Sequence, residues 1–270
     1  MGLAESRVSD LEKAGVASQP LGRASETAIH LTRIPPAIGG RVRPVIQISA
    51  QSVFRGFAIA VTGLAVIGLA FAVIAIVTGH DGLMGYGRIF DLDREGNVPS
   101  WYSGVSLLFC ASLLWVISHA ARAAADPHSK EWRLMAGIFV GLSLDEVAAL
   151  HERTMEPLRA LHLTGFLHYS WVVLAFPFLL WLGLRLRKFI FALPSATRNW
   201  FLISGTIFVL GAVGIEMIGA KVLEINGNGA GARLLSVLEE TMEMTGILLF
   251  IRALLTYLTT YSPRVSLRFE

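Results

Sequence analysis

The stretch Gly56–Val77 runs for 22 residues without a charged side chain. At 1.5 Å per residue a helix of that length crosses the ~30 Å hydrocarbon core of a bilayer. Five further apolar runs follow, at Trp101–Ala121, Trp132–Leu150, Leu167–Leu184, Trp200–Ala220 and Leu234–Leu258. One such run could be a buried core helix, but six in a 270-residue chain point to lipid. The expected fold is an all-α integral membrane protein with six transmembrane helices. Composition agrees: 16% of residues are charged, against about 25% in an ordinary soluble domain.

Three regions follow from this pattern. Residues 1–50 are polar and mixed, with Pro35-Pro36 and Gly39-Gly40, and read as a disordered cytoplasmic tail. Residues 51–262 form the six-span domain, and residues 263–270 a short cytoplasmic tail. The first apolar run starts too far in for a signal peptide. With the N-terminus inside, seventeen Lys and Arg residues fall on the inner side and six on the outer side. This bias puts both termini in the cytoplasm of a bacterial-type inner membrane. Trp101, Trp132 and Trp200 open their spans as interfacial anchors.

That topology brings the ionisable groups to one depth. Asp145, Glu146, His151 and Glu152 sit in the outer part of the third span or at its mouth, and His168 at the outer start of the fourth. Glu216 is near the outer end of the fifth, and Glu239, Glu240 and Glu243 in the outer third of the sixth. Ionisable residues in membrane helices are rare and face an interior or a wet cavity. The expected core is therefore a polar four-helix bundle of spans three to six, with spans one and two outside it. Asp145 and Glu152, seven apart, share a face of an unbroken helix, as do Ser236, Glu239, Glu243 and Gly246. Pro157 is expected to end the third helix.

Carboxylates packed in low dielectric repel one another and lose solvation. A bound cation can neutralise them, protons can, or Arg153, Lys221 and Arg233 can pair with them. The donor inventory suits a divalent metal, iron, manganese or zinc. In that reading Asp145, Glu216, Glu239 and Glu243 are ligands, and His151 and His168 are ligands or catalytic acid–base groups. Glu146, Glu152 and Glu240 stand behind them as supporting residues. The paired Glu-x-x-His spacing of soluble di-iron bundles is absent, and neither Gly-x-Ser-x-Gly nor His-Glu-x-x-His occurs. The alternatives are a salt-bridged accessory subunit of a larger membrane complex and a proton- or cation-coupled transporter. The expected partners are the lipid bilayer and other membrane subunits, with no nucleic acid. Cys110 is the only cysteine, so no intrachain disulfide forms, and its apolar surroundings mark it as a packing residue. The 22-residue outer connection Gly79–Ser100 is either a lid over the bundle or a plain solvated loop.

Overall fold

The computed structural model describes residues 49–80 and 87–261, and every regular element among them is helical. The tails expected at 1–50 and 263–270 lie outside the described residues, apart from Ser49 and Ala50. α1 (Ala50–Thr78) carries the uncharged run and ends at Gly79. Gly79 adopts φ 68° and returns its N–H to the Ala75 carbonyl, a cap that glycine makes without strain. A short turn, α2 (Gly87–Phe90), leads to α3 (Val98–Ala123). α3 starts where Asn97 accepts the Ser100 N–H and Pro99 sits in the first turn, where no N–H is missed.

α4 (Ser129–Ala148) and α5 (Leu150–Leu158) follow, bent by 76° at Ala149. α6 (Val172–Ala192) returns across the protein. α7 (Ser195–Val209) passes through a π-helical turn at Leu210–Ile215 into α8 (Glu216–Asn226), and together they form one 32-residue run. α9 (Ala230–Tyr261) completes the described chain. Among the described residues, three helices are long and apolar enough to cross a membrane: α1, α3 and the α7–α8 run. Counting α4 and α5 as one broken span makes four. Fewer crossings are thus evident than the six expected. α6 and α9 are also long, but α6 carries Arg185, Arg187 and Lys188, and α9 carries Glu239, Glu240, Glu243 and two arginines.

The packing centre differs from the expected bundle of spans three to six. α3, the second apolar run, lies inside it, with Leu107, Cys110, Leu114 and Ile117 each 2% exposed or less. Small residues let α4 lie directly along it. A Cβ on Gly104 would come within 2.6 Å of Val147, and the Ser143 hydroxyl donates to the Gly104 carbonyl at 2.7 Å. Near the start of α4, Trp132 is buried among the rings of Phe189, Tyr257 and Phe201, at centroid distances of 4.8, 4.9 and 5.9 Å. This hub ties α4, α6, α7 and α9 together, because aromatic rings bury the most apolar area per residue.

α9 crosses α7 at Gly246, where a Cβ would sit 2.8 Å from the Phe208 Cβ and 2.9 Å from its backbone nitrogen. Gly246→Val overpacks that crossing and is expected to cost about 1–3 kcal/mol. Ala149 adopts φ 51°, an unfavourable left-handed conformation for a residue with a Cβ. Ala149→Gly is expected to gain about 0.5–1 kcal/mol, the relief of that strain less the entropy glycine adds to the unfolded chain. Circular dichroism melts in mild detergent check both, with the Gly246 variant melting below the parent protein and the Ala149 variant above it.

Candidate functional site

The site begins with a break in a helix. α4 stops at Ala149, whose left-handed backbone returns its N–H to the Asp145 carbonyl. α5 then starts in a new direction and needs acceptors for its first free N–H groups. The Asp145 carboxylate provides one: Oδ1 accepts the His151 N–H at 2.7 Å. Its Oδ2 lies 3.0 Å from His151 Nδ1, so one carboxylate caps the helix and holds the ring. The opposite ring nitrogen, Nε2, lies 3.3 Å from Glu95 Oε1. Glu95 belongs to the connection between α1 and α3, so the imidazole is clamped between a helix end and an outer loop.

His151 and both its partners line a cavity of about 380 Å³. Glu146, Glu216, Glu239, Glu240 and Glu243 complete its acidic lining, for seven carboxylates and no lysine or arginine among the described residues. The opposite wall is apolar and includes Leu107, Leu142, Leu174 and Phe178. Glu216 takes its place from the π turn before it. Gly211 in that turn lets the backbone close on α9, where an added Cβ would lie 3.0 Å from the Glu239 carbonyl and 3.3 Å from Glu243 Cγ. Trp171 donates its indole N–H to Glu216 Oε1 at 2.9 Å. Glu216 Oε2 and Glu95 Oε2 are buried with no hydrogen-bond partner.

A second space of about 180 Å³ adjoins the first and is lined mainly by polar groups, among them Asp93, Glu152 and Tyr169. Glu95, His151, Glu216, Glu239 and Glu240 line both spaces and so form a partition between a polar vestibule and the deeper cavity. The described part of the first outer connection is fastened at this level. The Ser236 hydroxyl donates to Asp93 Oδ1 at 2.6 Å, and Asn97 bonds back to the carbonyls of Asp91 and Arg94.

Of the expected ligands, Asp145, His151, Glu216, Glu239 and Glu243 are brought to one cavity, and Glu146 and Glu240 join them on its wall. Glu152 does not share a face with Asp145. The break at Ala149, eight residues before Pro157, turns Glu152 out into the vestibule. His168 is exposed, outside both linings, with its ring edge-on to Tyr169 at 5.5 Å. Lys221 pairs with Glu224 at 2.9 Å rather than with the cluster, and Arg153 is exposed. Both nitrogens of His151 are engaged, which makes it a bridge between carboxylates in this arrangement. Among the described residues, no three His, Cys, Asp or Glu side chains already surround a common point as metal ligands. The sequence reading missed Glu95 and Trp171. The acidic run Asp91–Glu95 in the outer connection was the available signal for the first, and Trp171 passes for an interfacial anchor.

The family described as Domain of unknown function (DUF8692) matches residues 56–258. The chain belongs to that family. Its match covers the helical region from α1 to α9 and includes every residue of the cavity. No curated protein and no solved structure matches the chain.

Glu95 lies in the loop before α3, outside the helices long and apolar enough to cross a membrane. Burial is the main influence on its carboxyl, and it pushes the pKa from 4.5 to about 7. His151 opposes that rise, while Glu152 and Asp145 add to it. The folded state therefore holds this proton more tightly than the unfolded chain. Its contribution to stability is fully present below pH 4.5 and is lost as pH rises through about 7. Glu95→Gln removes the titration. Melting temperatures measured across that window are expected to fall less steeply with pH in the variant than in the parent protein.

Proposed function

We propose that this member of the DUF8692 family is a six-span membrane protein with both termini in the cytoplasm. In this reading its outer cavity binds a divalent cation and supports chemistry on a small or lipidic substrate. The observation that carries the reading is the charge of the cavity wall: among the described residues it holds seven carboxylates, one imidazole, and no lysine or arginine. Keeping one ordinary carboxylic acid protonated at pH 7 costs about 3–4 kcal/mol, and the cost recurs for each further acid. One divalent cation offsets two negative charges and supplies the missing partners for buried oxygens such as Glu216 Oε2.

The donors favour a hard cation. Glu216, Glu239, Glu240 and Glu243 offer oxygen only, and carboxylate shells suit manganese and iron better than softer metals. His151 holds Asp145 and Glu95 in place and is positioned to exchange protons with a bound molecule. The apolar wall facing these acids fits a hydrocarbon portion of the substrate. A transporter needs a polar path through the other half as well, where rings pack around Trp132 and the open groove beside them is lined by glycine and apolar side chains between Arg133 and the cavity.

Elemental analysis of protein purified in mild detergent without a histidine tag tests the reading. Roughly one or two equivalents of manganese, iron or zinc are expected. Glu216→Gln and Glu243→Gln are each expected to lower that content at least about tenfold while the protein stays folded. Absence of bound metal from the parent protein, or retention of it in both variants, would overturn the proposal.

A further inference from the structure

One face of α4 runs from its inner end to the acidic cavity. Lys130, Arg133, Gly137 and Gly141 follow at steps of three or four residues, and Asp145 is the next step. The first four line a groove of about 630 Å³ whose far wall includes Phe178 of α6. Leu142 and Phe178 also line the acidic cavity, so groove and cavity meet there. The groove stays open for two reasons. α4 and α6 make no extended close backbone approach, and the floor is glycine. A Cβ added at Gly137 or Gly141 would meet nothing within 4 Å. From Lys130 to Leu142 the helix rises about 18 Å, close to the depth of one leaflet of a ~30 Å hydrocarbon core.

Charge is confined to one end of this groove. Lys130 and Arg133 are exposed at its mouth and form no ion pair among the described residues. The nearby Arg185 is held by Glu131 at 2.9 Å. A groove of this length, apolar along its course and doubly cationic at its mouth, is complementary to a single lipid chain beneath an anionic headgroup. In the orientation proposed above, the mouth faces the cytoplasmic leaflet, where anionic lipids attract basic residues.

We propose that the α4–α6 groove binds one acyl chain of an anionic phospholipid, with the phosphate on Lys130 and Arg133 and the chain end at Leu142 and Phe178. The chain end then rests on the apolar wall of the acidic cavity. The bilayer itself supplies the cavity with an amphiphile, so the substrate class of the proposed site is a membrane lipid entering from the side. This inference rests on the membrane placement of the helices and on the substrate part of the preceding proposal, and it does not depend on a bound cation.

The test is native mass spectrometry of the full chain in mild detergent. Palmitoyl-oleoyl phosphatidylglycerol is added in one series and the matching phosphatidylcholine in another. One molecule of the anionic lipid is expected to be retained, about tenfold more strongly than the zwitterionic one. Lys130→Gln combined with Arg133→Gln is expected to abolish that preference. Gly141→Leu projects a side chain into the open groove from a Cβ that meets nothing within 4 Å, and is expected to reduce retention of both lipids. A phosphatidylglycerol carrying a diazirine at its chain end is expected to label α4 and α6 around Leu142 and Phe178. Equal retention of both lipids by the parent protein, or labelling confined to other helices, would overturn the proposal. Glu216→Gln separates the two ideas: the lipid stays bound to this variant whether or not its metal content changes.

Discussion

Asp145 accepts the backbone N–H of His151 across a helix break and holds the same residue's ring through Nδ1. Much of the outer end of the protein depends on that double contact. A helix that breaks near a membrane surface exposes backbone donors, and in low dielectric each unpaired donor costs as much as a lost hydrogen bond. The carboxylate meets that need with one oxygen and fixes the imidazole with the other. The free ring nitrogen then reaches Glu95 in the outer connection. One side chain thus joins α4, α5 and the connection between α1 and α3, and it marks the boundary between vestibule and cavity.

Close helix approach positions the remaining acids around this clamp. Gly211 brings the π turn onto α9 beside Glu239 and Glu243, Gly246 seats α9 against Phe208, and Gly104 seats α3 against α4. An added Cβ would clash with the Phe208 backbone at Gly246 and would press on Val147 at Gly104 and on the Glu239 carbonyl at Gly211, so close helix packing places the acids. The rest of the bundle supports the site in a different way. The rings around Trp132 pack the end of the bundle away from the acids, and open volume remains at the acidic end and along the α4–α6 groove.

The co-location of the acids was legible in the chain. Asp145, Glu216, Glu239 and Glu243 fall at one depth once the apolar runs are laid out in alternating directions, and they do line one cavity. Other features were hidden for specific reasons. Ala149 gives no signal of a break, since neither proline nor glycine stands there, and the side-chain cap from Asp145 exists only after the chain has turned. Glu152 and Asp145 share a face only on an unbroken helix, so the same break separates them. His168 and Trp171 lie three residues apart in one aromatic stretch, yet Trp171 binds Glu216 and His168 is exposed. Periodicity cannot distinguish the two, because the segment between them is not part of a long regular helix.

The sequence by itself determined that the described chain is helical and that its acids gather towards one end. Long uncharged runs and the spacing of their boundaries are local properties, read directly from hydropathy and helical rise. Only the tertiary structure decided which carboxylates face one another, that His151 bridges two of them, and that α3 belongs in the core. It also decided that α4 and α6 touch around Trp132 and leave a groove open beyond it. Each of these depends on contacts between residues far apart in the chain, such as Glu95 with His151 or Trp171 with Glu216, and no local pattern encodes such a pairing.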